Sequence, residues 1–477
     1  MSAAAAILSP NPAVPDLKLT VHESTLVSPP PPSHPKSLFL SNIDQILNYS
    51  VPTAYFFPSN PDFPPQVIAQ RLRTALQRLL LTYDFMAGRL KLNQELQGRL
   101  EIDCNAAGVG FVVASSELSL ADLGDVVRPN PAFQHLAPET LDNIKDGDQP
   151  LFTLQVTSFK CGGFAIGMSS NHILLDGMSA RAFKQNLASQ AFEDERPLAV
   201  IPCLDRRLLV GRSPPQVDFQ HQEFFIPETA PNSSGPPVFD CQREELEFRV
   251  FRLTPADIKF LKEVAAADAD ADGRTNTKIS SYSVATALIW RCKALSSWKD
   301  GDGDSGSSDR ERVSRFLNVI DIRARLSPAL PESYCGNAVL VAQSSEKCEE
   351  MEKGKGSFGK LVEMVAEGPM KIGDSYVRSA IDWLGVNRGL PYGDYMVSSW
   401  LRLGFGEVEF PWGKARHCGP MPNHRKDICW MFPTPTASAN EGQGAGHAGI
   451  DINALVALPP PEMERFQAHF LDFFSNE

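Results

Sequence analysis

The alternation of apolar and polar residues along the chain predicts strands and helices in mixed order. From Phe164 to Met168 apolar residues alternate with small ones, the period of two that marks a strand with one buried face. Helical spacing of apolar residues follows Pro65, and a closing helix carries Met463 and Phe466 on one face. The predicted strands are 17–27, 51–57, 100–102, 110–113, 152–156, 164–168, 248–253, 316–322 and 450–458, and further helices are predicted from about 178, 254 and 280.

The length of the chain and one interruption of this pattern predict two domains. Single domains mostly have about 100–200 residues, and this chain has 477. Between 196 and 245 the periodicity stops and proline and charge accumulate, which is typical of a long connection. We therefore predict an N-terminal domain at 1–195, a connection at 196–245 and a C-terminal domain at 246–477. The fold class is α/β, with mixed sheets flanked by helices.

The strand at 164–168 leads into the first candidate for chemistry. His172 stands where the alternation breaks, Asp176 and Gly177 follow it, and a helix is predicted from Met178. A histidine between a strand and a helix is held on a rigid platform, where a general base is expected. The alternative is a half-buried histidine bonded to its own turn, which an isolated His-x-x-x-Asp-Gly pattern would favour.

Charge and composition exclude several classes of protein. The 45 basic and 57 acidic residues give a net charge of −12, whereas a nucleic-acid binder presents a basic face. No run of about 18 apolar residues is present, so we expect no transmembrane helix. The N-terminus lacks the basic and apolar regions of a secretory signal. Nine scattered cysteines without metal-ligand spacing predict reduced thiols in a cytoplasmic protein and no metal site.

Two acidic stretches, at 268–273 and 300–311, imitate parts of a calcium-binding loop. The first has Ile279 where the bidentate glutamate belongs, and the second has Ser305 at the glycine position. We therefore predict solvated loops and no calcium site.

A second signature lies far along the chain, where residues 409–413 read Glu-Phe-Pro-Trp-Gly. Together with the histidine motif it resembles the plant BAHD acyl-CoA-dependent acyltransferases, whose paired signatures are His-x-x-x-Asp-Gly and Asp-Phe-Gly-Trp-Gly. Here Glu409 replaces the aspartate and Pro411 replaces the first glycine. The family places this loop away from the reacting atoms, so Glu409, Phe410, Trp412 and Gly413 are expected to have a structural role.

Further segments support the same resemblance, which extends from about residue 17 to 475. Residues 83–90 are similar to the family's Tyr-Pro-Leu-Ala-Gly-Arg-Leu, and 319–323 and 334–337 are similar to its Val-Asp-x-Arg and Gly-Asn segments. The resemblance implies two domains of similar size with a channel between them and His172 in mid-channel. It also implies a monomer with no permanent cofactor, to which acyl-CoA and an alcohol bind as substrates.

The resemblance assigns roles to the residues around the base. Asp176 is expected to hold Arg323 in a structural ion pair, with Asp321 in the same structural motif. The alternative is a dyad in which Asp176 orients the imidazole of His172 directly, which the spacing leaves open. No acyl-enzyme is needed, because His172 can deprotonate the acceptor within a ternary complex.

Two more groups of residues are assigned by resemblance alone. Ser398 and Trp400 match a Thr/Ser-x-Trp segment, which is implicated in stabilising the oxyanion. Core packing and an ordinary strand hydroxyl are the alternative roles. Ser280, Ser281 and Arg291 are candidates for CoA binding, and a buried structural ion pair is the alternative for Arg291.

The resemblance leaves the reaction open in three respects. Hydroxycinnamoyl or small and aliphatic acyl groups are expected donors, and phenylpropanoids or long-chain alcohols of plant specialised metabolism are expected acceptors. Acylation of an amine nitrogen is an alternative within enzymes. A non-catalytic partner in lipid elongation is the alternative outside them, because the loop at 409–413 departs from the family pattern.

Overall fold

The computed structural model describes most of the chain. The described residues are 6–10, 14, 16–32, 34–95, 98–194, 196–226, 245–271, 279–297, 312–422, 428–435 and 450–475. The predicted connection at 196–245, the two acidic stretches and the glycine-rich segment at 442–449 lie partly or wholly outside these ranges.

The strands alternate with helices along the chain, as the hydrophobic pattern predicts. The strands are β1 (Ala6–Leu8), β2 (Leu19–Val27), β3 (Ser37–Leu38), β4 (Ser50–Phe57), β5 (Arg89–Asn93), β6 (Arg99–Asp103), β7 (Val109–Ser116), β8 (Phe152–Phe159), β9 (Phe164–Asn171), β10 (Phe224–Phe225), β11 (Glu247–Leu253), β12 (Val313–Asp321), β13 (Val339–Lys347), β14 (Leu390–Pro391), β15 (Tyr395–Ser399), β16 (Glu409–Phe410), β17 (Gly413–Lys414), β18 (His417–Pro420), β19 (Ile428–Pro435) and β20 (Ile450–Leu458). The α-helices are α1 (Pro65–Leu79), α2 (Leu120–Leu123), α3 (Gly177–Gln190), α4 (Pro255–Ala271), α5 (Ser281–Ser296), α6 (Cys348–Glu352), α7 (Phe358–Glu367), α8 (Asp374–Asn387) and α9 (Pro460–Phe474).

The sheet that carries the candidate base has the strand order β18-β4-β9-β8-β7-β2. β4 and β9 are antiparallel, with Ser50 opposite Asn171 and Phe57 opposite Phe164. Helices α1 and α3 pack together over this sheet. Phe183 of α3 contacts Phe152 of β8 with ring centroids 5.3 Å apart.

The larger sheet has the order β1-β11-β20-β19-β15-β12-β13 and is formed mainly by the C-terminal half. Helices α4, α5, α7 and α9 share one hydrophobic cluster with its strands, in which Trp290, Phe316 and Phe466 are fully buried. A second cluster includes residues of both large sheets, so the halves of the chain share part of their core. The structure is therefore a mixed α/β fold with two sheets in contact.

Each large sheet receives one strand from the other half of the chain. β18 pairs with β4, with His417 opposite Phe56 and Pro420 opposite Thr53. At the other end of the chain, β1 pairs with β11. The sheets are thus not divided at a single point along the sequence, and the domain boundaries at 195 and 246 stay a prediction.

No helix in the described ranges is long and apolar enough to cross a bilayer. The cysteines that the structure describes form no disulfide.

Candidate active site

His172 directly follows β9 and is fixed by backbone contacts at that point. β9 is paired with β4 over its whole length, and the backbone N–H of His172 donates to the carbonyl of Tyr49 at 2.7 Å. The ring centroids of Tyr49 and His172 lie 5.2 Å apart. Because the strand ladder immobilises the backbone, the imidazole is held on a rigid support.

The hydrogen bonds of Asn337 determine which imidazole nitrogen carries the proton. Nδ1 of His172 lies 3.0 Å from Oδ1 of Asn337. The amide nitrogen of Asn337 donates to Oδ1 of Asp44 at 2.7 Å and to the carbonyl of His172 at 2.9 Å. The amide oxygen therefore accepts, which places the proton on Nδ1 and leaves the lone pair of Nε2 free. A histidine in this tautomer can take a proton from a substrate.

Behind Asn337 lies a buried carboxylate that fixes the amide. Asp44 is fully buried and accepts from the backbone N–H and the hydroxyl of Ser41, each at 2.8 Å. Arg206, 1% exposed, lies 3.3 Å from Asp44 and donates to the carbonyls of Ile173 and Leu174. These contacts hold both the amide of Asn337 and the turn that follows His172.

Asp176 is turned away from the imidazole and is fully engaged elsewhere. Its carboxylate caps α3 by accepting from the backbone N–H of Ser179 at 2.9 Å, and it accepts from the N–H of Ala338 at 2.9 Å. Both guanidinium Nη atoms of Arg323 contact it, at 2.8 and 2.9 Å. Burial raises the pKa of this carboxyl, but Arg323 and the two N–H groups outweigh burial and hold the pKa below its ordinary value. The structure contains the ion pair and no hydrogen bond between Asp176 and His172.

Two cavities meet at His172. The first has an empty volume of ≈ 1060 Å³, including space open to solvent, and extends along α3 past Lys184. The second has an empty volume of ≈ 640 Å³ and a mostly apolar wall. The residues that line both are His172, Val319, Val339, Ser398 and Trp430. The imidazole is therefore accessible from two sides.

Ser398 and Trp400 lie at the end of β15, and both line the larger cavity together with His172. Ser398 is half-buried and lines both cavities, and its hydroxyl makes no hydrogen bond to a residue in the described ranges. Trp400 is 7% exposed, and its ring is packed against Phe405 and Trp430 at centroid distances of 5.1 and 5.6 Å. The placement of Ser398 is compatible with an oxyanion donor, whereas Trp400 has clear packing contacts.

Comparison with known proteins is consistent with this geometry. The profile of the Transferase family matches residues 17–473. Acyltransferase GLAUCE of Arabidopsis thaliana is 46% identical over 459 residues, covering 96% of each chain. The chain belongs to the BAHD acyltransferases.

More distant relatives of this BAHD acyltransferase differ in the atom that they acylate. Omega-hydroxypalmitate O-feruloyl transferase of Arabidopsis thaliana is 31% identical, covering 96% of this chain and 94% of the relative. Anthranilate N-benzoyltransferase protein 1 of Dianthus caryophyllus is also 31% identical, covering 96% of this chain and all of the relative. The crystal structure of vinorine synthase superposes with a TM-score of 0.71 at 19% identity, covering 95% of this chain and 98% of that one, which shows a shared fold.

The predicted CoA residues of this BAHD acyltransferase lie away from both cavities. Ser280 is the N-cap of α5 and forms a capping box with Ser283, and Ser281 begins the helix. Arg291 is 5% exposed, donates to the carbonyl of Met351 at 2.9 Å and lies over the ring of Phe473. Helix capping and packing account for these contacts, and the assignment to CoA binding stays a prediction without support from this geometry.

The loop at 409–413 packs far from the base. Phe410 and Trp412 are stacked with centroids 5.1 Å apart, and Trp412 also contacts Phe164 at 6.1 Å, at the end of β9 opposite His172. Gly413 has φ +104°, a conformation that favours glycine. Glu409 is exposed, so the longer carboxylate meets no steric limit. These contacts agree with a structural role and place the departures from the family signature outside the site.

The sequence predicts His172 as the base but does not predict the groups that orient its side chain. Asn337 belonged to the Gly-Asn segment, but it is separated from His172 by 165 residues in the sequence, so its contact with the imidazole could not be predicted. No role was predicted for Asp44, and Arg206 lay in a stretch without a motif. Trp430 was also missed; its side chain lines both cavities, and its indole N–H is buried without a hydrogen-bond partner in the described part of the chain.

The acidic limb of the pH–rate profile should lie below pH 6.5. Burial lowers the pKa of His172 from its ordinary value of 6.5, and the opposing influences of Asp176 and Asn337 do not cancel that effect. Base catalysis needs the neutral imidazole, so kcat/KM is retained as the pH falls until this lowered pKa is passed. Steady-state rates between about pH 5 and 8 test this, with circular dichroism as the folding control. A limb at or above pH 6.5 would contradict it.

Asn337→Ala should lower kcat about tenfold, because the imidazole loses the hydrogen bond that fixes its tautomer. The bond to Asn337 also raises the pKa of His172, so the acidic limb should move to lower pH in the variant. Asn143→Ala is the matched control, because this amide is exposed and its side-chain hydrogen bonds within the described ranges are to Ser24. A lower rate with an unchanged limb would show that Asn337 acts on stability alone.

Proposed function

We propose that this enzyme transfers an acyl group from a CoA thioester to a hydroxyl by direct attack in a ternary complex. The observation that carries the proposal is the free Nε2 of His172 at the junction of two cavities. One substrate can approach from each side, and a single base lies where they meet. Holding both reactants in this way removes much of the entropic cost of a bimolecular step.

The reaction follows from the chemistry of these groups. Nε2 of His172 takes the proton of the acceptor hydroxyl as its oxygen attacks the thioester carbonyl. The tetrahedral intermediate carries a negative oxygen, for which Ser398 and Trp430 supply donors on the shared wall. When the C–S bond breaks, the imidazolium returns the proton to the departing CoA thiolate. The products are an ester and free CoA, and no covalent enzyme intermediate forms.

Asp176 and Arg323 act in this scheme by positioning rather than by contact with substrate. Asp176, at the start of α3, pairs with Arg323 and also accepts a hydrogen bond from the backbone N–H of Ala338, the residue that follows Asn337. The helix that follows the histidine turn and the segment before β13 that contains Asn337 are thereby held together. We propose that this connection keeps Nδ1 of His172 hydrogen-bonded to Oδ1 of Asn337.

The substrate classes are inferred from the walls of the cavities. The smaller cavity has an apolar wall that suits an aliphatic or aromatic group; it includes Ile43, Ile46, Leu47, Phe224, Leu340, Val341 and Met396. An aliphatic or hydroxycinnamoyl acyl group and a long-chain or phenylpropanoid alcohol fit such surfaces. The relative that acylates omega-hydroxypalmitate supports an alcohol acceptor.

Transfer to an amine is the second candidate, and the N-benzoyltransferase relative is the observation that favours it. An amine needs the same base and the same oxyanion donors, so the described site serves either nucleophile. The non-catalytic alternative is weaker, because the base, its tautomer and access from two sides are all present. A cytoplasmic monomer stays a prediction.

Release of free CoA thiol by the purified protein tests the proposal. Feruloyl-, caffeoyl-, acetyl- and palmitoyl-CoA are each combined with fatty alcohols, phenylpropanoid alcohols and anthranilate. Thiol release that depends on an alcohol, with the ester identified by mass spectrometry, supports O-acylation. An amide product supports the second candidate, and a folded protein that binds CoA without turnover on any pair supports the non-catalytic alternative.

A further inference from the structure

Lys184 is a buried cation inside the larger cavity. It lies on α3, lines the cavity together with His172 and is only 6% exposed. Its Nζ lies 3.6 Å from the ring centroid of Phe405 and 5.3 Å from that of Tyr55. Aromatic faces attract a cation, but they do not neutralise its charge.

No carboxylate in the described part of the chain neutralises this ammonium group. Among the described residues, Lys184 has neither an ion pair nor a hydrogen bond. The group with acidic character that influences it is the thiol of Cys418, and burial raises the pKa of that thiol to about 11, so it is uncharged near neutrality. Burial lowers the pKa of Lys184 from 10.5 to about 8, so most of the side chain still carries a proton at pH 7. A buried, charged and unpaired amine is costly unless a ligand compensates it.

The ammonium group lies further along α3 than the base. α3 begins at Gly177, five residues after His172, and Lys184 lies seven residues beyond Gly177, which corresponds to about 10 Å along the helix axis. The ammonium group faces Tyr55, whereas His172 is bonded to Tyr49. Between the two points the cavity wall is largely apolar, with Val51, Thr53 and Met168 on the sheet side.

We propose that Lys184 binds an anionic oxygen group which a substrate carries at the end remote from its reacting atom. The proposal rests on the proposed function, since the reacting atom is placed at His172. A molecule with an apolar middle and an acidic end matches both the wall and the charge. Lys184 then determines which substrates this cavity accepts, without touching the reacting atoms.

Two sources supply such a group. A long-chain hydroxy acid places a carboxylate at Lys184 when its hydroxyl lies at His172. Alternatively, the thioester donor places a phosphate of CoA there when its sulfur lies at His172. Both form the same charge-assisted hydrogen bond with the ammonium group.

Binding measured in two pairs of ligands separates these sources without requiring turnover. The first pair is ω-hydroxypalmitate and hexadecanol, which differ only in the carboxylate. The second pair is CoA and pantetheine, which differ in the phosphates and the nucleotide. Tryptophan fluorescence reports the titrations, because Trp400 and Trp430 line the cavity. The protein variants are Lys184→Met, which keeps the length and removes the charge, and Lys184→Arg, which keeps the charge.

The expected result is a Kd that is about 10- to 100-fold higher in Lys184→Met for one anionic member of a pair and unchanged for its neutral partner. Lys184→Arg should recover most of the affinity. Lys160→Met, at an exposed lysine, is the matched control and should change nothing. If only the affinity for ω-hydroxypalmitate falls, the group that Lys184 binds is the carboxylate. If only the affinity for CoA falls, it is a phosphate. If Lys184→Met leaves the affinity for both anions unchanged, the proposal is wrong.

This outcome is independent of the catalytic test. A wild-type protein that turns over substrates but shows no effect of Lys184 on binding refutes only the anion site. A protein that binds an anion through Lys184 without thiol release leaves the site standing and refutes the transferase.

Discussion

His172→Ala is expected to lower kcat for CoA release by about 10²- to 10⁴-fold, the contribution of a positioned general base. The substitution removes Nε2, the atom that takes the proton from the substrate hydroxyl. The ion pair of Asp176 with Arg323 and the buried contacts of Asp44 stay intact. KM should change little, because both cavities keep their walls. Thiol release under saturating donor and acceptor measures the effect, and thermal unfolding shows that the variant is folded.

The matched control is His135→Ala, at a histidine whose side chain is exposed and outside both cavities. Its rate should equal that of the wild type. If His172→Ala keeps more than about a tenth of the wild-type kcat, less than the smallest usual effect of a general base, the assignment of the base is wrong.

Arg323→Ala is expected to lower the free energy of unfolding by about 3–5 kcal/mol, because it leaves the buried carboxylate of Asp176 without a counter-charge. Asp176 is 2% exposed and Arg323 is 6% exposed, so water cannot replace the lost contact easily. Urea denaturation followed by circular dichroism measures the difference. Lys259→Ala, which breaks an exposed pair with Glu263, is the control and should cost less than about 1 kcal/mol.

The pH dependence of this effect has a defined sign. The pKa of Asp176 is held below its ordinary value in the folded protein. Its contribution is therefore present above the pKa of the unfolded state and is lost as the pH falls through the lower pKa of the folded state. The stability difference between wild type and Arg323→Ala should accordingly shrink in acid. A difference that grows in acid would contradict the assigned ion pair.

Local patterns were sufficient to predict the platform of the active site. The alternation at 164–168, the histidine at its end and the helix after Gly177 are all features of neighbouring residues, and β9 and α3 are where they were predicted. The cap of α4 was equally local, and Thr254 and Asp257 form it. Periodicity and capping are encoded within a few residues, so sequence reports them well.

The hydrogen-bond partners of His172 could not be predicted from local patterns. Asn337 and Asp44 are 293 residues apart and meet only because the two sheets are in contact. β19, in the interior of the larger sheet, was missed because a strand covered on both faces shows no alternation. The role of Arg291 stays a prediction for a related reason: α5 is buried along nearly all its length, so no polar face distinguishes a ligand site from packing.

The pairing of β18 with β4 has a consequence for folding during translation. β4 is an interior strand of its sheet because residues 417–420 pair with one of its sides, and these residues are synthesised long after β4 itself. Until they emerge, the nascent N-terminal half exposes an open β-edge on the sheet that supports His172, and such edges recruit other chains. This sheet is thus completed only once β18 has been translated, when the chain closes that edge with its own strand.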